Sequence, residues 1–284
     1  MILWIASYPK SGNTWLRTLI SSYYYSDDGV YSDNVINKIG QFPEKRHFTE
    51  FEYNQNIITD TSRFWLKAQQ KINQDRKLRF FKTHNAFGEL NNQKFTNKEN
   101  SIGCIYIVRD PRNVITSLKN HYEMNDEQAL KWMTNENKFI YDVQNFDKDG
   151  YSDFQFISSW ETNYNSWTVQ KQIPIKLVKY ESLLKETYIV FRDIVDFINK
   201  LTGINKKIDK ERLKNSVQTT SFNKLKNNEE KYGFSEAVLS QKTNKKIPFF
   251  FLGPENDWRK ILSDDLKIKL NKIYEKKLTE LSYI

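Results

Sequence analysis

The first 25 residues change their hydrophobic period once, and this change predicts a strand, a loop and a helix. Residues 2–6 form a short apolar run that is typical of a strand buried on both faces. Residues 8–13 are polar, and Pro9 and Gly12 interrupt the strand. From Thr14 onward the apolar residues recur about every 3.6 residues, which places them on one face of a helix.

Later stretches repeat this alternation of strand and helix patterns. Further strands are predicted over 78–82, 101–108 and 174–180. Further helices are predicted over 60–74, 156–169, 186–201 and 261–284. Asp110 followed by Pro111 marks another helix start, because the two residues suit the N-cap and the first helical position. We therefore expect an α/β fold, a three-layer sandwich around a central, mostly parallel sheet.

Composition narrows the class of protein. A length of 284 residues suits one large domain, which we expect to span 1–284. The net charge of +9 comes from dispersed lysines, so it indicates a solvated surface as readily as a polyanion site. The single cysteine, Cys104, excludes an intrachain disulfide. No leader and no apolar run of about 20 residues is visible, so we expect a cytoplasmic protein with no membrane span.

The loop after the first strand has the character of an anion site. It combines Lys10, Ser11 and Gly12 with the amino terminus of the predicted helix. Converging backbone N–H groups, the helix dipole and an ammonium group together attract anions. The loop departs from the Walker A pattern, in which the lysine follows the second glycine, and this disfavours a nucleoside triphosphatase.

The run YPKSGNTW at 8–15 instead resembles the phosphosulfate-binding loop of sulfotransferases that use 3′-phosphoadenosine 5′-phosphosulfate (PAPS). The resemblance implies a P-loop-NTPase-like fold and transfer of a sulfonyl group from PAPS to a hydroxyl or amine, with release of adenosine 3′,5′-bisphosphate (PAP). It implies that Lys10 stabilises the leaving phosphate and that Trp15 stacks on the adenine. The residues implied in holding the 5′-phosphate are Ser11, Gly12, Asn13 and Thr14.

A second motif, KTH at 82–84, follows a predicted strand, where ligands bind in open α/β sheets. It matches the family motif in which the histidine is the general base on the acceptor, so the resemblance implies His84 as the base, assisted by Lys82. An imidazole with a pKa near neutrality suits that task. His47 and His121 are assigned no role, and His121 is expected at the surface.

A third motif, VRDPRNVITS at 108–117, carries Arg109 at a strand end and Ser117 two helical turns on. Such a pair can grip one phosphate from two sides, and the run resembles the family's 3′-phosphate motif. Arg112 is expected to face solvent.

Matches to the family continue toward the carboxyl end. The YESL turn carries Tyr180, and the TSF segment carries Thr220, Ser221 and Phe222; the resemblance implies that Tyr180, Thr220 and Phe222 lie around the adenine. Gly253 and the following Asp-Trp also match. However, Phe251 and Leu252 stand where better-known members have an Arg-Lys pair for the 3′-phosphate. Three residues are considered as substitutes for that pair: Lys245, Lys246 and Arg259. Alternatively, Gly253 contributes its N–H alone.

The chemical identity of the acceptor stays open. Insertions near 26–58 and 122–160 are expected to wall its site, and a small molecule, a glycan or a lipid would each suit an aromatic-rich wall. No nucleic-acid partner and no metal are expected, because no cluster has metal-ligand spacing. Two other functions are weighed: a non-catalytic nucleotide- or polyanion-binding protein, and a small-molecule kinase with a degenerate P-loop.

Overall fold

The computed structural model describes residues 1–203, 207–240 and 242–284. The strands are β1 (Ile2–Ala6), β2 (Arg79–Thr83), β3 (Glu89–Leu90), β4 (Gln93–Lys94), β5 (Ser101–Val108), β6 (Phe139–Ile140), β7 (Gln155–Phe156) and β8 (Ile175–Lys179). The helices are α1 (Asn13–Tyr25), α2 (Asp33–Ile36), α3 (Trp65–Ile72), α4 (Pro111–His121), α5 (Asp126–Thr134), α6 (Phe146–Asp149), α7 (Trp160–Val169), α8 (Tyr180–Lys185), α9 (Thr187–Thr202), α10 (Lys210–Thr219), α11 (Phe222–Tyr232), α12 (Trp258–Ile261) and α13 (Asp264–Glu280). Short 3₁₀ helices are Lys45–His47, Asp60–Phe64 and Gly253–Glu255.

Four strands form a parallel sheet in the spatial order β2, β1, β5, β8. In this register Ala6 lies beside Thr83 on one side and Tyr106 on the other. The chain therefore leaves β1, β2 and β5 at one edge of the sheet, and the loops that follow these strands meet there.

Helices cover both faces of the sheet, which confirms the predicted α/β sandwich. Side chains of β1 alternate, so Trp4 and Ala6 pack with α4, α7 and α13, while Leu3 and Ile5 pack with α1, α9 and α10. The two sets form separate apolar clusters of fully buried side chains on opposite sides of the sheet. This two-sided burial explains why β1 is apolar throughout and why β5 is apolar after Ser101.

A third, smaller cluster lies over the edge of the sheet where the three loops meet. It joins α2 and α11 to residues 233–240 and 242–250 through Ile36, Leu225, Phe234 and Phe250. We refer to residues 233–240 and 242–250 together as the covering segment. Among the described residues, no helix combines the length and apolar character that a membrane crossing requires.

Helix boundaries follow local capping. The Asp110 carboxylate accepts the Arg112 backbone N–H at the start of α4, and Pro111 takes the first helical position, as predicted. The helix predicted from 156 begins at Trp160, because the Ser159 hydroxyl caps it while β7 pairs with β6.

The expectation that Arg112 faces solvent is wrong. Its side chain is 1% exposed and forms an ion pair with Asp110 at 2.8 Å. It also donates to the Asn271 side chain and to the Tyr283 carbonyl, and it stacks on Trp258. Arg112 therefore joins the start of α4 to the carboxyl-terminal part of the chain.

Candidate active site

A cavity of about 1710 Å³ opens at the edge of the sheet where β1, β2 and β5 end. It is lined by Lys10 from the loop after β1, by Lys82 and His84 from the end of β2, and by Arg109 after β5, with Ser117 on α4. These are the residues of three motifs that lie far apart in the sequence. The parallel register brings them together, because each motif follows a strand of the same sheet.

The loop between β1 and α1 adopts a backbone conformation that requires glycine at position 12. Gly12 adopts φ +98°, and a Cβ there would lie 2.5 Å from the Tyr180 ring, so the position excludes other residues. Ser11 is fully buried, and its hydroxyl has no hydrogen-bond partner among the described residues. The Asn13 amide donates to the Ile5 carbonyl at 2.9 Å, so this side chain braces the loop against β1.

Two cations at this loop have no carboxylate partner in the described part of the chain. Lys10 is partly buried, lies 4.2 Å from the Phe249 ring centroid, and forms no ion pair with any described residue. Burial lowers the pKa of Lys10 to about 7. Arg109 is 6% exposed and stacks at 4.1 Å on Tyr180, and its buried Nε has no hydrogen-bond partner in the described part of the chain. Charges that are buried and unpaired are costly, so this pair fits an anionic ligand.

His84 is held in one orientation from both sides. Its Nδ1 lies 2.8 Å from the Ser7 carbonyl oxygen, its backbone N–H donates to the Gln155 side chain, and its own carbonyl accepts from Asn163. Burial and, to a smaller degree, the Lys82 ammonium lower the pKa of His84 to about 3. The imidazole is therefore neutral at pH 7, with its proton on Nδ1, since a carbonyl only accepts.

The structure adds a residue that the sequence patterns did not reveal, Glu236 of the covering segment. Its carboxylate accepts from the Thr14 hydroxyl at 2.7 Å, pairs with Arg17, and lies 3.6 Å from the Lys82 ammonium. Burial alone would raise the pKa of Glu236, but Lys82 and Arg17 together hold it well below its usual range. Glu236 is therefore ionised at the centre of the cation cluster. No motif surrounds it in the sequence.

The residues expected near the adenine form one wall of the cavity, with one exception. Trp15 packs edge-on against Tyr180 at 5.6 Å, and its indole N–H donates to the Thr220 carbonyl. The Thr220 hydroxyl is fully buried and donates to the Ser216 carbonyl, so Thr220 stands behind the wall, and its neighbour Ser221 lines the cavity. Thr220 is therefore absent from the described cavity lining, whereas Trp15 and Tyr180 belong to it.

Phe222 and Gly253 complete this wall. A Cβ at Gly253 would lie 2.1 Å from the Phe222 ring, so the aromatic side chain packs directly on the glycine backbone. Both residues line the cavity.

Asn256, beside Ser117, is a second residue of the cavity that the sequence patterns did not predict. Arg109 Nη1 lies 3.5 Å from the Ser117 hydroxyl, and the Asn256 amide approaches the same oxygen at 3.3 Å. Asn256 is fixed by a 2.6 Å hydrogen bond from the Thr116 hydroxyl. The uncharged side chains of Phe251 and Leu252 also line the cavity, and Phe251 is 45% exposed.

The three basic residues considered as substitutes for the missing pair stand apart from the described cavity lining, and Lys242 lines it instead. Arg259 pairs with Asp257 and stacks on Trp258. Arg109, which does line the cavity, lies beside Ser117.

The expectation that His121 lies at the surface is wrong. It is 8% exposed, lines the cavity, and packs edge-on against Phe249 of the covering segment at 5.9 Å. Burial, followed by the nearby Lys10 and Lys82, lowers the pKa of His121 to about 3. His47 lies apart from this group, and its ring accepts the Glu44 backbone N–H.

Comparison with known proteins identifies related chains. The family described as Sulfotransferase domain matches residues 2–282. The luciferin sulfotransferase of Photinus pyralis is 24% identical over 290 residues, which cover 99% of this chain and 72% of that protein. Sulfotransferase 1E1 of Homo sapiens is 26% identical over 280 residues, which cover 97% of this chain and 83% of that protein.

Solved structures share the fold. Mouse sulfotransferase SULT7A1 complexed with PAP aligns with a TM-score of 0.58 at 20% identity, covering 98% of this chain and 84% of that one. A retinol dehydratase in complex with androsterone and inactive cofactor PAP aligns with a TM-score of 0.58 at 17% identity, covering 98% of this chain and 80% of that one.

Proposed function

The chain belongs to the sulfotransferase domain family, and we propose that it performs PAPS-dependent sulfonyl transfer with His84 as the general base and Lys10 stabilising the leaving phosphate. The acceptor group is a hydroxyl or an amine of a small molecule, a glycan or a lipid. The observation that carries this assignment is the convergence of Lys10, Lys82 and His84 on one cavity. Family membership favours this function over a kinase or a non-catalytic polyanion-binding protein.

The role of His84 follows from its hydrogen bonds. Because Nδ1 donates to the Ser7 carbonyl, Nε2 carries the free lone pair and can take the proton of the acceptor. The pKa of about 3 departs from the near-neutral value expected of a general base: it keeps this nitrogen unprotonated throughout the neutral range, but it also makes the imidazole a weaker base. General base assistance of this kind is worth about 10²–10⁴-fold in rate.

The role of Lys10 follows from its position beside the loop. PAPS, when bound, supplies an activated sulfonyl group and a phosphate leaving group. The Lys10 ammonium and the loop N–H groups stabilise negative charge that develops on the departing oxygen, and a site of partly buried cations strengthens that effect. Lys82 assists from the end of β2. The unsatisfied hydroxyl of Ser11 and the close approach allowed by Gly12 support the loop as the 5′-phosphate site.

The remaining residues hold the rest of the nucleotide. Arg109 and Ser117 bind the 3′-phosphate, which supplies the anionic partner that the Arg109 guanidinium lacks among the described residues. The adenine lies against an aromatic wall, where stacking contributes about 1–3 kcal/mol per base. The residues proposed for that wall are Trp15, Tyr180, Phe222 and Gly253. Asn13 and Thr14 shape the loop beneath it.

The insertions near 26–58 and 122–160 contribute acceptor-side walls. Gln41 and Glu44 of the first, and Tyr141 and Asp153 of the second, line the cavity. They mix aromatic, amide and carboxylate groups, and this mixture supports a polar acceptor with an apolar part.

A mass-shift screen tests the proposal. The protein is incubated with PAPS and pooled phenols, sugars, lipid alcohols and amines, and products are searched for a gain of one sulfonyl group and for release of PAP. We expect transfer that depends on PAPS and is lost in His84→Ala. PAPS-independent binding of polyanions without any transfer, or a requirement for Mg²⁺ and ATP, would contradict the assignment.

A further inference from the structure

Glu236 is an unusual residue to find in an anion-binding cavity. Its carboxylate ties the covering segment to α1 through Thr14 and Arg17, and to the end of β2 through Lys82. Arg17 is itself 6% exposed and also donates to the Ile39 carbonyl at 2.8 Å, so this anchor is fixed. The carboxylate thus lies between the loop proposed to hold the donor and the motif proposed to hold the base.

From this geometry we propose that Glu236 is a positioning residue for sulfonyl transfer, which orients Lys82 and Thr14 and sets the charge around Lys10. The proposal rests on the function proposed above. It assigns Glu236 no contact with the reacting atoms: the residue acts through the cations that it holds.

The charges in the cluster explain why a carboxylate is needed there. The groups that face Lys10 are Glu236, Glu229, Lys82, Arg109 and His121. Lys82 and Arg109 both lower the pKa of Lys10, and Glu236 is the largest influence in the opposite direction. Cations packed together in a partly dehydrated site repel one another and release protons. Glu236 opposes this loss of protons, and the cluster still retains an excess of positive charge for an anionic donor.

The lysine of the KTH motif depends on the same carboxylate. Burial lowers the pKa of Lys82, and Glu236 is the largest influence that raises it. The Lys82 side chain is 14% exposed, and Glu236 is its one ion-pair partner in the part of the chain that the structure describes. Without that carboxylate, Lys82 would lose this ion pair, and the smaller influence of Glu44 would be left to raise its pKa.

The decisive variants are Glu236→Gln, which removes the charge at nearly constant size, and Glu236→Asp, which keeps it. Glu230→Gln is the matched control, because Glu230 is exposed on α11 and makes the same change in net charge. Two quantities are measured for each protein. The first is the pH profile of kcat/KM for PAPS, which reports the free enzyme. The second is the titration of Lys10 in the ligand-free protein, followed by NMR of ¹³Cε-lysine and assigned with Lys10→Arg.

We expect Glu236→Gln to lower kcat by about tenfold or more, because the variant loses the charge-assisted contact that orients Lys82. In this variant the pKa of Lys10 should fall by about half a unit or more, and the alkaline limb of the pH profile of kcat/KM should move to lower pH by the same amount. Glu236→Asp should return the limb toward its wild-type position, and Glu230→Gln should leave both quantities unchanged.

Two results would overturn the proposal. If kcat falls while the limb and the Lys10 pKa stay in place, Glu236 only supports the fold. If kcat is unchanged and kcat/KM for PAPS rises, the carboxylate competes with the donor for Thr14 and does not position the lysines. The proposed function fails separately, when the wild-type protein transfers no sulfonyl group from PAPS to any acceptor.

Discussion

The Nδ1 atom of His84 lies 2.8 Å from the carbonyl oxygen of Ser7. Because the carbonyl can only accept, this contact assigns the imidazole proton to Nδ1 and leaves Nε2 as the basic nitrogen. Ser7 directly follows β1 and opens the anion-binding loop, so the same peptide connects the base to that loop. The orientation of the base is set before any acceptor arrives.

This arrangement predicts the effect of removing the base. His84→Ala should lower kcat by at least about 10²-fold, because the acceptor then loses its proton without assistance. The affinity for PAP, measured by calorimetry, should change little. His47→Gln is the control, and its kcat should stay within about twofold of the wild-type value, because His47 lies outside the cavity lining. Turnover near the wild-type level in His84→Ala would remove this histidine as the base.

The pKa values of Lys10 and His84 predict the shape of the pH profile. The pKa of His84 is about 3, so the base is neutral from about pH 4 upward, and the pKa of Lys10 is about 7, so its ammonium is lost as the pH rises through that value. The kcat/KM for PAPS should therefore be flat on the acid side of neutrality and fall on the alkaline side.

Lys10→Arg tests which group causes the alkaline fall. A guanidinium stays charged at every accessible pH, so the fall near pH 7 should disappear even where the variant is slower. Steady-state rates with an acceptor that does not ionise between pH 5 and about 9 provide the measurement. A fall that persists unchanged in Lys10→Arg would assign it to a group other than Lys10.

The sequence could predict elements whose signals are local. β1 and β5 were found at the predicted residues, because a strand buried on both faces is apolar throughout. The start of α4 was also predicted, because Asp favours the N-cap and Pro favours the first helical position, whatever the rest of the chain does. The motifs after these strands could be placed at one edge of the sheet for the same reason, since parallel strands end together.

Contacts between residues far apart in the sequence could not be predicted from local sequence patterns. Glu236 meets Thr14 across 222 positions, and nothing in its neighbourhood marks it as a partner of a cation. His121 was expected beyond the helix and at the surface, and Arg112 was expected to face solvent. The covering segment instead packs on the first, and the carboxyl-terminal part of the chain buries the second. Burial of a polar residue depends on what packs over it, and a single helix pattern does not carry that information.

The buried pair of Arg112 and Asp110 predicts an effect on stability. Arg112→Ala should lower the free energy of unfolding by about 3–5 kcal/mol, because it leaves a buried carboxylate without its partner. Chemical denaturation monitored by tryptophan fluorescence measures this change. The matched control is Arg192→Ala, whose ion pair with Asp193 is exposed and should contribute less than about 1 kcal/mol. Equal losses in both variants would mean that Arg112 does not stabilise the folded protein as its contacts indicate.

The position of Phe251 predicts a gain of binding. Phe251 is 45% exposed in the cavity lining and stands where the motif that this chain resembles has a cation. Phe251→Arg should therefore be tolerated and should add a charge-assisted contact at the proposed 3′-phosphate site. We expect PAP to bind about tenfold more tightly by calorimetry and adenosine 5′-phosphate to bind as before, because it lacks that phosphate. The control is Tyr232→Arg, which adds the same charge at a residue that is 68% exposed and absent from the cavity lining. If both nucleotides gain equally in Phe251→Arg, or if Tyr232→Arg reproduces the gain, then the added charge acts at long range and Phe251 does not border the 3′-phosphate site.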